Sequence, residues 1–143
     1  MKIRAKKLSE NAVLPIYGTP FSAGADLYAA EGVTVAPGAT VLVHTGIAME
    51  IPEGFGGFVY ARSGLATKRG LAPANKVGVI DSDYRGQVMV SLHNHTEQPQ
   101  TVEPGERVAQ MVFAPVYQAQ FCEVDALQET ERGTGGFGST GTK

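Results

Sequence analysis

The chain has 143 residues, a formal net charge of −2 and a pI near 5.9, so it offers no electrostatic case for a nucleic-acid or membrane surface, and a phosphate-bearing partner must be gripped locally. Its 18 glycines and 8 prolines point to many turns and short strands within one domain, and the single cysteine, Cys122, excludes an internal disulfide. No positively charged apolar leader begins the sequence and no run approaches the ~20 apolar residues of a membrane span, so the expectation is a soluble, cytoplasmic protein.

Along the chain, Asp26 follows Gly24 and opens the apolar stretch Leu27 to Ala30; by itself it reads as a turn or capping residue. Val41, Val43 and Thr45 then alternate with Leu42 and His44 in the period of a strand. Pro37-Gly38, Pro52-Glu53-Gly54, Gln98-Pro99 and Pro104-Gly105 mark turns. The run Phe58-Val59-Tyr60 leads into the one stretch that invites a helix, Ser63 to Arg69, which Gly70 stops. Here Arg62 offers a bidentate fork, Ser63 a hydroxyl and N-cap, and Gly64 a close backbone approach, which together suit a phosphate. A capped helix whose Arg62 pairs with an acid would use the same residues.

Gly78 to Val88 sets Asp81, Asp83, Tyr84 and Arg85 between two strand-like runs. Glycines at both ends predict a hairpin-like reversal that holds the Asp81 carboxylate beside Tyr84, whose flat ring suits a sugar or base. An ordinary surface turn is the competing reading. Val88, Val90 and Leu92 alternate with Met89, Ser91 and His93, and Ala109, Met111 and Phe113 with Val108, Gln110 and Val112. Gln110 is the polar residue on the Val108 and Val112 face, so its amide needs a water, a phosphate oxygen or a backbone partner. His93 and His95 share a face but lack a third metal ligand. Cys122 reads as a packed or partly exposed thiol without a basic neighbour.

The tail, Arg132 to Gly141, is too rich in glycine to fold alone, and either a lid that orders on a nucleotide or a disordered terminus would have this composition. Residues 133 to 138 match G-x-G-x-x-G, but no strand precedes them and no helix follows, which excludes a dinucleotide-binding fold. The pattern as a whole is all-β, a jelly roll or sandwich with one short helix.

Five segments in order, Ala23-Gly24-Ala25-Asp26-Leu27-Tyr28, Arg62-Ser63-Gly64, Gly78-Val79-Ile80-Asp81 to Gly86, Arg107-Val108-Ala109-Gln110 and Gly136-Phe137-Gly138-Ser139-Thr140-Gly141, resemble the five motifs of trimeric dUTPases, a likeness that spans residues 23 to 141. The resemblance implies a distorted jelly-roll core over residues 1–127 and a flexible glycine-rich arm over 128–143 that is exchanged in a homotrimer with active sites shared between subunits. It implies hydrolysis of dUTP to dUMP and pyrophosphate, which supplies dUMP for thymidylate synthesis and keeps uracil out of DNA. A dCTP deaminase on the same fold and a dUTP sensor that does not hydrolyse are the alternatives.

By the same resemblance Asp81 is the general base and also bonds the deoxyribose 3′-hydroxyl. Gln110 contacts the α-phosphate or the water, and Asp26 supports catalysis. Arg62, Ser63 and Gly64 hold the phosphate chain, while Asn75 and the backbone of Gly78, Val79 and Ile80 read the uracil. Tyr84 packs under the sugar and Met89 lines the pocket. Phe137 stacks over the base, and Arg132, Gly138, Ser139 and Thr140 bind the terminal phosphates. Mg²⁺ is the expected cofactor, carried by the phosphates and waters, with Asp26 at most in its outer shell.

Overall fold

In a computed structural model that describes residues 1–136, the chain forms eleven strands and one helix. The strands are β1 (Arg4–Lys7), β2 (Ile16–Tyr17), β3 (Ala25–Tyr28), β4 (Val33–Val35), β5 (Thr40–Glu50), β6 (Phe55–Tyr60), β7 (Leu71–Pro73), β8 (Gly78–Ile80), β9 (Val88–Asn94), β10 (Gln100–Val102) and β11 (Arg107–Pro115); the helix α1 is Ser63–Arg69. They build a four-stranded sheet in the order β1-β5-β9-β7, a five-stranded sheet in the order β2-β3-β11-β6-β8 and a small β10-β4 ribbon, all antiparallel. This is the distorted jelly-roll sandwich that the short strands and turn signals lead one to expect.

Alternation builds the core. On β9, Val88, Val90, Leu92 and Asn94 are buried while Met89, Ser91 and His93 are partly exposed. Leu27, Val59 and Met111 from the five-stranded sheet join Val43, Ile47, Val90 and Leu92 from the other in one apolar cluster, to which the ribbon adds Val35 and Val102. Each such side chain contributes about 1.5–3 kcal/mol by leaving water. Asn94, the polar member of the buried face, is fully satisfied. Its amide donates to the carbonyls of Val35 (3.0 Å) and Gln98 (2.8 Å), and its Oδ1 accepts from the Thr96 N–H (2.9 Å) and hydroxyl (2.8 Å).

Two irregularities break the period-2 reading. On β5 the pairing with β9 shifts between His44 and Ile47, where Gly46 takes φ +67°; a bulge of this kind needs a residue without a Cβ. On β11 the pairing with β3 shifts between Arg107 and Ala109, and Val108 and Ala109 are consequently both buried. The expected Val108, Gln110 and Val112 face is therefore not a single face.

The hairpin expected over residues 78–88 is not formed. β8 pairs with β6 in the five-stranded sheet and β9 with β5 and β7 in the other, so residues 81–87 cross from one sheet to the other. The glycines at its ends serve close approach, and neither has a positive φ among the described residues. A Cβ on Gly78 would stand 3.2 Å from Val59 Cβ and 3.3 Å from Asn75 Nδ2, and one on Gly86 would stand 2.4 Å from the Tyr84 hydroxyl.

After β11 no further strand forms among the described residues, and Tyr117, Phe121 and Leu127 are almost fully exposed. Cys122 is an exposed thiol.

Candidate active site

A cavity of about 270 Å³ lies where residues 78–87 meet the outer face of the four-stranded sheet, lined by Asn75, Val79, Ile80, Asp81, Tyr84 and Met89 together with Leu42, Gln87 and Ser91. The strand period explains the floor. Leu42 and Ser91 are cross-strand partners, as are His44 and Met89, and all four turn away from the buried Val43 and Val90. Beside it, Asn75 sits at a turn in which Lys76 takes φ +63° and the Val77 N–H bonds the Asn75 carbonyl at 2.7 Å.

The crossing segment forms the wall. The Tyr84 N–H reaches the Asp81 carbonyl at 3.2 Å, and the Arg85 guanidinium holds the carbonyls of Ser82 (2.7 Å) and Tyr84 (3.0 Å). The Tyr84 hydroxyl donates to the Gln87 carbonyl at 3.0 Å, so the ring lies against Gly86. Among the described residues no hydrogen bond or ion pair engages the Asp81 carboxylate, which is exposed. Asp81 and Val79 also line a larger cleft of about 760 Å³, placing the carboxylate where the two spaces meet.

The residues expected to hold phosphate collect elsewhere. Asp26 on β3 is buried and accepts from two cations, Arg62 Nε on Oδ1 at 2.6 Å and Arg107 Nη1 on Oδ2 at 3.3 Å. Gln110 on β11 pairs in register with both Asp26 and Tyr60, and its Nε2 donates to the Ala61 carbonyl at 2.9 Å. The backbone partner is thus the one it has. Arg62 occupies the helix cap position with extended backbone and makes no side-chain cap bond, because a guanidinium has no acceptor for the helix N–H groups; it turns instead to Asp26. Ser63 is the first helical residue and not the N-cap that the sequence led us to expect. Gly70 ends α1 with φ +61°, as expected.

Arg62, Gly64, Lys68, Arg69 and Arg107 line one open groove with Leu65 and Glu106. A Cβ on Gly64 would meet nothing within 4 Å, which leaves its backbone accessible. Arg69 is committed to Glu106, the Thr101 carbonyl and Gln100 Oε1, and so ties α1 to the neighbouring ribbon. This groove shares no lining residue with the 270 Å³ cavity. Its excess of guanidinium and ammonium groups fits an anion, in a chain whose net charge is negative.

Arg132 lies at a turn near the end of the described residues, with its Nε donating to the Gly135 carbonyl at 2.8 Å. Phe137, Gly138, Ser139 and Thr140 lie outside the described residues.

The sequence reading missed Leu42, Gln87 and Ser91, and gave Arg107 no role. Leu42 carried a signal, as a large apolar residue at an outward position of its strand, left 56 % exposed. The Arg107 pairing carried none, since 81 residues separate it from Asp26.

Among the described residues no group of three or more His, Cys, Asp and Glu side chains could hold a metal ion, and both Asp26 oxygens already face guanidinium groups. His93 and His95 pack edge to face with ring centroids 4.4 Å apart, and His93 Nδ1 bonds Thr40 Oγ1 at 2.8 Å. No helix among the described residues is long and apolar enough to cross a membrane.

Comparison with known proteins agrees with this geometry. The dUTPase family pattern matches residues 10–141. The chain is 51 % identical to the deoxyuridine 5′-triphosphate nucleotidohydrolase of Desulfitobacterium hafniense, covering 99 % of this chain and 95 % of that one. It is 48 % identical to the protein of the same name from Nautilia profundicola, covering 99 % of both. Among solved structures, a mutant dUTPase of Staphylococcus bacteriophage 80alpha with dUpNHpp superposes with a TM-score of 0.93 at 28 % identity, covering 98 % of each chain. With the family pattern spanning most of the sequence and both relatives matching nearly end to end, the chain belongs to the dUTPase family.

Proposed function

We propose that this protein hydrolyses dUTP to dUMP and pyrophosphate. The observation that carries the reading is the gathering of Asn75, Asp81, Tyr84 and Met89 around one cavity, in a chain of the dUTPase family. A nucleoside enters that cavity with its uracil edge toward the Asn75 amide and the backbone of Gly78, Val79 and Ile80. Met89 and Leu42 form the apolar floor. Tyr84 packs under the deoxyribose and leaves no room for a ribose 2′-hydroxyl.

The exposed Asp81 carboxylate bonds the 3′-hydroxyl and takes a proton from a water. As that water's oxygen bonds the α-phosphorus in line, the bond from the α-phosphorus to the bridging oxygen breaks and pyrophosphate leaves. Arg62, Ser63 and Gly64 hold the phosphate chain, and Gln110 orients the water or the α-phosphate. Asp26 supports this half by fixing Arg62. Arg132, Phe137, Gly138, Ser139 and Thr140 close over the nucleotide as the terminal part of an arm that follows the core.

The cavity and the cationic groove share no residues, and this supports a homotrimer in which each site takes its nucleoside wall from one copy, its phosphate groove from a second and its arm from a third. Among the described residues the side chains build no cation cage, so Mg²⁺ fits as an ion carried by the triphosphate and its waters, where it would offset the phosphate charge. The workplace is the cytoplasm, where nucleotides are made.

The test is to incubate the purified protein with Mg²⁺ and dUTP, dCTP, dTTP or UTP separately, following both pyrophosphate and the base product. Pyrophosphate and dUMP from dUTP alone are expected. Deamination of dCTP would replace the reading by a deaminase, and dUTP binding without turnover would replace it by a sensor.

A further inference from the structure

We propose that His44 is a positioning residue for the nucleoside cavity, acting through Gln87 on Tyr84. His44 projects from β5 on the same face as Leu42, opposite Met89 on β9. Its Nδ1 lies 2.8 Å from Gln87 Oε1. A carboxamide oxygen can only accept, so Nδ1 carries the proton and the imidazole holds the Gln87 side chain to the sheet. Glu31 Oε1 stands 3.9 Å from the other ring nitrogen, too far for a hydrogen bond, so the Gln87 contact is what orients the ring.

Gln87 in turn locates Tyr84. Its backbone carbonyl accepts the tyrosine hydroxyl at 3.0 Å, and Gly86, where a Cβ would collide with the ring, leaves room for the ring to lie there. Tyr84 is 40 % exposed, so packing alone does not define where its ring stands. Residue 87 is therefore held at two points, by His44 at its side chain and by Tyr84 at its carbonyl, just where the crossing segment rejoins β9. Removing His44 frees the first point and lets the wall of the cavity shift. Because His44 lines neither the cavity nor the groove, the effect falls on fit and not on the chemical step.

The inference rests on the reading of Tyr84 as the wall against the sugar, and it predicts an effect on sugar discrimination. Wild type, His44→Ala and His44→Asn are compared for KM and kcat with dUTP and with UTP, for melting temperature, and for amide hydrogen exchange over residues 84–88 without nucleotide. Loss of one hydrogen bond in His44→Ala is expected to raise KM for dUTP about five- to ten-fold, to leave kcat within about two-fold and to lower the preference for dUTP over UTP by about ten-fold. Exchange over 84–88 should quicken. His44→Asn, whose amide N–H stands near the place of Nδ1, should restore most of each property.

Unchanged KM, preference and exchange in His44→Ala would overturn the proposal. So would a fall in kcat and melting temperature together that His44→Asn does not reverse, since that marks a residue needed only for folding. A wild-type protein inactive on dUTP would reject the functional reading itself; the exchange experiment would still decide whether His44 anchors the segment.

Discussion

Gly24 and Gln110 are fitted to one another: a Cβ on Gly24 would stand 2.7 Å from Gln110 Oε1 and 3.1 Å from its Cβ. The glycine is there to let the glutamine lie flat, with its Nε2 on the Ala61 carbonyl. Gly24→Ala should therefore act as a displaced Gln110. We expect kcat to fall about ten-fold or more, with KM changing less, as in Gln110→Ala, and the double variant to be little worse than either single one. Steady-state kinetics of the three variants checks this, and additive losses would separate the two residues.

Asp26 lies under both Arg62 and Arg107, and its side chain is only 12 % exposed. Asp26→Asn keeps the shape and removes the charge. A hydrogen bond to a charged group is worth about 1.5–3 kcal/mol, so kcat/KM should fall about ten- to hundred-fold as Arg62 loses its anchor. The fall should exceed that of Arg107→Gln, because Arg62 makes the shorter bond. Equal activity of Asp26→Asn and wild type would remove Asp26 from the support of the phosphate groove.

Gly46 sits in the β5 bulge with φ +67°, and a Cβ there would stand 2.6 Å from Ser9 Oγ and 2.8 Å from Ala12 Cβ. The Ala12 methyl is buried and has no rotamer to escape to, so Gly46→Ala combines backbone strain with overpacking. A loss of about 2–4 kcal/mol of stability is expected, read by denaturant titration at fixed protein concentration. Gly38→Ala, with a similar φ of +66° but open space, should cost less.

Deleting residues 132–143 removes the glycine-rich end while leaving intact every strand among the described residues. The melting temperature without nucleotide should hold, and dUTP turnover should fall at least about a hundred-fold if the arm screens the reaction from water. Normal turnover by the shortened chain would refute the lid.

What could be read in the sequence was what depends on neighbours along the chain. The alternation of Val88, Val90 and Leu92 and the stop at Gly70 are local signals, and the sheet and helix follow them. Non-local pairing was out of reach. Gly78 to Val88 has the composition of a hairpin, yet β8 and β9 each find better-matched partners in different sheets. The extra residue at Val108 is invisible until β3 and β11 are laid side by side. Arg62 and Asp26 are 36 residues apart, so the sequence could name a phosphate ligand and an acid pair as rivals without choosing the acid. In the folded chain the pairing with Asp26 is what aims the guanidinium, and the two roles need not compete. Asn75, Asp81, Tyr84 and Met89, which the motif resemblance names, line one cavity, whereas Leu42 and Ser91 enter it from a strand pair that no motif marks.

The central claim is that a nucleoside wall and a phosphate groove from different copies make one catalytic site, and subunit mixing tests it most directly. Asp81→Asn chains should bind dUTP but lose most turnover, and Arg62→Gln chains should bind it weakly. Refolded together in equal amounts, with mixed trimers verified by mass, they should regain activity, because about one site in four in random trimers holds both Asp81 and Arg62. A mixture as inactive as its parts, despite mixed trimers, would contradict the account and place both residues of each site in a single chain.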